Sequence, residues 1–319
     1  MPESNSNSRP DAPGSAGGPE DPHKTPAMSG APLDPRMVAH AHFARSLSER
    51  HCPEALGGDC TWFHRPWLYF RALGVVTSVG TQADFFRHSL RLLAGEEGMQ
   101  RVLISGAADD SMTEIVLDAF LAEGRTAEVT VLDRCETPLA LSRSLASERG
   151  VTITTIRENI LSFESPKPFD LVLTNSFLPY FDRSERCLLF SRWASLLRVG
   201  GKLLTTNRLR PGARPGWIGF SPSEAAAFCA RVEERAQAQR DSLGLDPDTL
   251  SEWAHDYTAR LGGYVTRGSE EVIELLRGAG FASDVFETTG NLSIEPTRGE
   301  GGPSESAVAT YVRLLASRI

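Results

Sequence analysis

The 319-residue chain has no apolar run approaching the roughly 20 residues that a membrane-spanning helix needs. It has no excess of basic charge either: 33 Lys and Arg face 41 Asp and Glu, for a net charge of -8. That balance leaves no broad positive field, so neither nucleic acid nor a membrane is expected as a partner. The N-terminus lacks the apolar stretch of a secretory signal, and a cytoplasmic location is expected by default. Cysteines are few, odd in number and scattered: Cys52, Cys60, Cys135, Cys187 and Cys229. This usage suits reduced thiols rather than a disulfide framework. His51, Cys52, Cys60 and His64 are of ligand type and close in sequence, but their spacing matches no standard zinc module. No metal is expected, and these cysteines are read as small apolar residues. Residues 1–35 have almost no large apolar side chains and are rich in Pro, Gly, Ser and Asp. Such a segment cannot offset its ordering entropy, so it is read as a disordered tail.

What remains is long enough for one large α/β domain with an accessory region. Residues 36–95 are read as an N-terminal helical cap. The stretch 60–71 crowds Trp62, Phe63, Trp67, Tyr69 and Phe70 together, and Phe85, Phe86, Leu90 and Leu93 recur at helical spacing. These rings are either the core of the cap or, with Trp67 as the candidate, part of a substrate pocket. An aromatic cluster of this kind also suits a dimer contact, so monomer and homodimer both stay open.

From residue 100 strands alternate with helices. Strands are predicted at 101–105, 129–133, 151–156, 169–175 and 202–206. Helices are predicted from 111, with Ser111 and Glu114 as a capping box, and at 138–148 and 184–197. A further helix at 269–277 precedes two last strands, at 281–288 and 307–316, joined by the turn-rich stretch 290–302. Apolar strands separated by helices mean a parallel sheet, and two strands joined only by a loop are antiparallel. The fold class predicted is α/β: a doubly wound, mostly parallel seven-stranded sheet with a C-terminal antiparallel hairpin. An insertion at 208–267, with helices at 223–240 and 247–261, follows the fifth strand. Its place at the carboxyl end of a parallel strand puts it over the ligand crevice, as a lid.

This order of elements resembles the class I, Rossmann-like S-adenosylmethionine-dependent methyltransferases over residues 96–319. The resemblance is carried by five segments. The first is the turn Val102-Leu-Ile-Ser-Gly-Ala-Ala-Asp-Asp110, with Gly106 at the family's first glycine position. Ala108 and Asp110 stand where the family usually has glycines, and Ile104 where it often has an acid. Small residues let the backbone approach a ligand, and the next helix N-terminus offers N–H groups to a carboxylate. The resemblance therefore implies cofactor contact at Ser105, Gly106 and Ala107, with Asp109 or Asp110 near the cofactor's amino group. The second segment ends at Asp133, which the resemblance implies holds both ribose hydroxyls, with Arg134 beside it. The third, Arg157-Glu-Asn-Ile-Leu161, places Asn159 and Ile160 at the adenine. The fourth, Thr174-Asn-Ser-Phe-Leu-Pro-Tyr-Phe181, places Asn175 at the cofactor and Ser176, Phe177 and Tyr180 toward the acceptor. The turn Leu197-Arg-Val-Gly-Gly-Lys-Leu-Leu204 is a fold marker of the same family.

The implied activity is methyl transfer from S-adenosylmethionine, leaving S-adenosylhomocysteine, to the oxygen or nitrogen of a small-molecule acceptor. Such a displacement needs alignment and a dry pocket, and a base where the acceptor carries a proton. His64, His255 and Tyr257 are the candidates. Arg208 and Arg210, with Arg214 nearby, would recognise an anionic group on the acceptor; the alternative is a solvated loop. The missing G-x-G-x-x-G counts against a nicotinamide-dependent enzyme. A non-catalytic or repurposed cofactor-binding protein of the same fold remains the other reading.

Overall fold

A computed structural model of the chain describes residues 32–282, 292–298 and 308–319. The expected tail at 1–35 thus falls almost wholly outside the described residues. The first described helices are α1 (Pro35–His51), α2 (Thr61–Ala72) and α3 (Ala83–Gly95), with short turns of 3-10 helix at Cys52–Glu54 and Val79–Gln82. The alternating part follows: β1 (Arg101–Ser105), α4 (Ser111–Ala122), β2 (Glu128–Asp133), α5 (Glu136–Glu148), β3 (Thr154–Arg157), β4 (Phe169–Asn175), α6 (Arg183–Leu196) and β5 (Leu197–Leu209). The insertion holds β6 (Trp217–Gly219), α7 (Pro222–Ala238), α8 (Arg240–Leu243), α9 (Pro247–Arg260) and β7 (Gly262–Tyr264). The chain then runs through α10 (Ser269–Gly278), β8 (Leu292–Arg298) and β9 (Val308–Ser317).

The seven-stranded sheet has the order β3-β2-β1-β4-β5-β9-β8. The first five strands are parallel, and β9 runs antiparallel to both β5 and β8. The expected doubly wound sheet with a terminal hairpin is therefore present. Strand alternation sorts the core into two layers. Val102, Ile104, Leu171 and Leu173 pack with α3, α4 and α5, while Leu103 and Val172 pack with α6 and α10. Burying both faces is what a parallel sheet requires.

Two elements differ from expectation. The first strand of the hairpin was placed at 281–288. Within that span Phe281 makes an isolated bridge to Arg318, and 283–288 lie outside the described residues. The strand is Leu292–Arg298, inside the stretch read as turn. Pro296 and the polar composition hid it. As the edge strand, β8 tolerates a proline that a central strand would not. At α4 the N-cap is Asp110 rather than Ser111, and no side chain caps it. Glu114 pairs with Arg149 at 2.5 Å instead of closing a capping box. True capping boxes occur at Asp182–Glu185 and Ser221–Glu224.

The helices α1, α2, α7 and α9 share one apolar core. It includes Trp67, Tyr69, Phe70, Phe228, Trp253 and Tyr257, all buried. Cap and insertion are thus one helical layer, closed by a small antiparallel ribbon of β6 and β7 that the sequence reading had not anticipated. α3 belongs elsewhere: Phe86, Leu90 and Leu93 are buried against the sheet layer. The helical layer stands over the carboxyl ends of the parallel strands. Ligands bind in that crevice in open α/β sheets.

Candidate active site

A cavity of about 420 Å³ opens between the strand ends and the helical layer. That is within the roughly 300–1,000 Å³ of small-ligand sites. Its floor starts at the turn after β1. Gly106 has φ +79°, and a Cβ added there would lie 2.4 Å from a ring carbon of Phe177. Glycine alone meets both demands. The next residue ties this turn to β2: Ala107 N donates to Asp133 Oδ2 at 3.0 Å. Cys135 N donates to Asp133 Oδ1 at 2.8 Å. Each carboxylate oxygen has a second acceptor site left over, since the group offers about four. Burial pushes the Asp133 carboxyl up to about 6, against the pull of both N–H groups and of His64.

The turns after β3 and β4 complete the floor. Asn159 Oδ1 accepts from Leu161 N at 3.1 Å, and Ile160 is buried beneath the cavity wall. At the end of β4, Asn175 Oδ1 accepts from Thr206 Oγ1 at 2.6 Å. Ser176 has φ +51°, the one positive φ outside glycine among the described residues. Backbone strain of this kind collects at functional sites. Phe177 packs edge-on to Phe181, with ring centres 5.0 Å apart, and Tyr180 lies beside it.

The roof is aromatic. Trp67 stacks on Phe63 with ring centres 5.0 Å apart, and Phe63 in turn stacks on Tyr257 at 6.1 Å. Trp67 Nε1 and Arg71 Nη1 each donate to Asp109 Oδ2 at 2.6 Å, and Ser111 N donates to Oδ1 at 2.8 Å. Burial works against a charge on Asp109, yet Arg71 and these donors hold its carboxyl well below the usual range. Asp109 lines the cavity, but its oxygens latch the cap onto the strand end. Asp110 faces His40, whose Nε2 is 3.1 Å away.

Two of the named residues, Ser105 and His255, lie outside the cavity lining. Ser105 is fully buried and accepts from Trp193 Nε1 at 3.0 Å. It shares the face of Leu103, so strand alternation aims it at α6 and away from the cavity. His255 is exposed, 3.5 Å from Cys229 Sγ, and does not line the cavity. Two residues along a helix is about 200° of rotation, so Tyr257 faces in and His255 faces out. The other named residues do converge: Trp67, Gly106, Ala107, Asp133, Arg134, Asn159, Ile160, Asn175, Ser176, Phe177 and Tyr180 all line the cavity. Arg134 also binds the cap, donating to Leu56 O at 3.0 Å.

Neither remaining base candidate is suited to take a proton. Burial pushes the Tyr257 hydroxyl far above its ordinary value, with Tyr180 adding to the shift. His64 lies with Nδ1 3.4 Å from Cys52 Sγ. Burial opposes its charge, but Cys135 and Cys52 carry the imidazole up to about 10. Arg208, next to last in β5, and Arg210, just past the end of that strand, line one side of the cavity. Burial lowers both, and Arg208 adds to the lowering of Arg210, to about 10. Arg214 is exposed and outside the lining. The sequence reading missed Phe63 and Tyr264. Phe63 had a signal, the spacing of four from Trp67 along α2; Tyr264 sits in the unanticipated ribbon.

Residues 114–201 match the family model described as a methyltransferase domain. No curated protein sequence matches the chain. Among solved structures, the chain is similar to the N-methyltransferase NodS of Bradyrhizobium japonicum WM9 in complex with S-adenosyl-L-homocysteine: 15% identity, TM-score 0.41, covering 74% of this chain and 87% of that one. It is also similar to an O-methyltransferase family protein of Burkholderia thailandensis, at 12% identity and TM-score 0.44, covering 89% and 72%. A third is the magnesium protoporphyrin IX methyltransferase ChlM of Synechocystis PCC 6803 with bound S-adenosylhomocysteine, at 14% identity and TM-score 0.43, covering 76% and 89%.

Proposed function

We propose that this chain, which carries a methyltransferase domain over residues 114–201, is an S-adenosylmethionine-dependent enzyme that methylates a small acceptor beneath its helical layer. The observation that carries this reading is the pairing of Asp133 with the turn at Gly106. A half-buried carboxylate with spare acceptor sites stands beside a backbone that only glycine can form, and the two are joined through Ala107 N. A ribose diol suits the first, and an amino-acid tail lying close to main chain suits the second.

Bound there, S-adenosylmethionine supplies an electrophilic methyl group on a sulfonium. The chain's own residues bind and align. Asp133 accepts from the ribose hydroxyls. Asn159 and Ile160 flank the adenine, one polar and one apolar. Phe177 and Tyr180 border the place of the reacting centre, where ring faces favour a cation. Phe63, Trp67 and Tyr257 exclude water from above, which strengthens alignment and polar contacts within.

The acceptor is a small molecule with an anionic group. Two guanidinium groups that burial disfavours line one wall at Arg208 and Arg210, and an anion placed between them offsets that cost. With Tyr257 held protonated and His64 facing thiols, neither of these two candidates serves as the base. This favours an acceptor that reaches the site already deprotonated, such as a phenolate, a carboxylate or a neutral amine. The test is release of S-adenosylhomocysteine from S-adenosylmethionine, across matched carboxylated and neutral phenols and amines. Turnover with an anionic member supports the reading. Turnover only on protein or RNA, or on none of the panel despite cofactor binding, argues against the acceptor assigned.

A further inference from the structure

We propose that Cys52, Cys60, His64 and Cys135 form a structural zinc site that staples the helical cap to the cofactor-binding strand. The proposal does not depend on the acceptor or on methyl transfer.

The four ligand atoms all lie within 4.8 Å of one another. Cys52 Sγ is 3.6 Å from Cys135 Sγ and 3.4 Å from His64 Nδ1. A tetrahedral zinc with sulfur at about 2.3 Å and nitrogen at about 2.0 Å has ligand-to-ligand edges of about 3.5–3.8 Å. The two separations here lie close to that. The Cys52–Cys135 sulfur separation is far beyond the roughly 2.05 Å of a disulfide bond, and a disulfide would leave a thiol and an imidazole over. Three thiolates and an imidazole are the donors that zinc selects. Four protein ligands fill the tetrahedron, with no position left open for water or substrate, which marks a structural site.

The local structure supports the ligands. Cys60 is the N-cap of α2 and His64 lies one turn in, so both project on one face. Cys52 follows α1, and the chain returns to it, with Cys60 N donating to Cys52 O at 3.5 Å. Cys135 is the N-cap of α5, where the helix dipole favours a thiolate. Thr137 N donates to Cys135 Sγ at 3.4 Å, and Thr137 Oγ1 lies 3.2 Å from Cys52 Sγ. Such outer contacts orient thiolate ligands. Cys52, His64 and Cys135 are buried. Of these ligands three come from the cap and one lies two residues beyond Asp133. Metal binding therefore fixes the cap over the Asp133 carboxylate.

The test uses the full chain, purified under reducing conditions without a metal-affinity tag or chelator. Elemental analysis should find one zinc per chain. Cobalt loaded into the chelator-treated protein should give thiolate-to-cobalt charge transfer and the ligand-field bands of a tetrahedral site. Zinc returned to that protein at about 100 times its dissociation constant should raise the melting temperature by about 5–10 °C. Cys52→Ser and Cys135→Ser should each lose the zinc and the cobalt spectrum, and Cys187→Ser, on the exposed surface, should keep both. Because the wild-type protein is measured directly, a variant that fails to fold does not decide the matter. Traces of zinc only after loading, with no charge-transfer band, would overturn the proposal. So would a Cys52–Cys135 disulfide as the main form of freshly purified protein, which would make the cluster a redox pair.

Discussion

Replacing Asp109 by Ala removes the latch between cap and sheet, and its cost follows from what is left behind. The carboxylate is 4% exposed and accepts from Trp67 Nε1, Arg71 Nη1 and Ser111 N. Its loss strands a guanidinium that is only 14% exposed, together with a buried indole N–H. Breaking a buried ion pair by removing one partner costs about 3–5 kcal/mol. For a chain of this size that is a fall in melting temperature of about 6–15 °C. The Arg71→Ala, Asp109→Ala double variant leaves no unpaired charge. It should be less destabilised than the sum of the singles by about 1–3 kcal/mol. Urea denaturation of the wild type, both singles and the double gives the cycle. The pH dependence has a definite sign. The Asp109 carboxyl is depressed in the folded state, so its contribution is present above the unfolded value near 4 and is lost as pH falls through the folded value. A single variant losing under about 1 kcal/mol, or additive singles, would refute this reasoning, because the buried charge would then not be holding the cap.

Other outcomes follow from the same geometry. Gly106→Ala should abolish cofactor binding with only a modest fall in melting temperature, since the Cβ meets the Phe177 ring at 2.4 Å and φ is +79°; pairing it with Phe177→Ala should recover part of the binding. Arg210→Ala should raise the acceptor KM while leaving the affinity for S-adenosylhomocysteine unchanged, as read by initial rates and by calorimetry. Affinity for S-adenosylhomocysteine should fall as pH drops through about 6, where Asp133 takes up its proton; a flat profile from pH 7.5 to 5 would contradict the role given to that carboxylate.

How much of this was legible from sequence depended on period and distance. β1 and β4 are apolar runs bounded by turns, and both were predicted at their observed limits. Asp133, Asn159 and Asn175 sit at strand ends, where topology alone brings them together. Ser105 was misassigned because β1 is apolar on both faces, so sequence gives no sign of which side is inward. His255 and Tyr257 looked equivalent until helix rotation separated them. The thiol cluster shows the limit most clearly. His51, Cys52, Cys60 and His64 were grouped by proximity, yet the fourth member is Cys135, brought in from across the fold, and His51 is not in the cluster. Residue-to-residue spacing cannot reveal a ligand contributed by another layer. The latch at Asp109 was hidden for the same reason: its partners Trp67 and Arg71 belong to a different element.

The central claim is that Asp133 and the Gly106 turn hold S-adenosylmethionine, and calorimetric titration tests it directly. Wild-type protein would be titrated with S-adenosylmethionine, S-adenosylhomocysteine and NADH, and the Asp133→Ala variant likewise. The account predicts saturable binding of the first two and none of NADH. Loss of the two charge-assisted hydrogen bonds, at about 1.5 kcal/mol or more each, should weaken the variant about 100-fold. Absence of binding by either sulfur ligand, or equal affinity in wild type and variant, would contradict it.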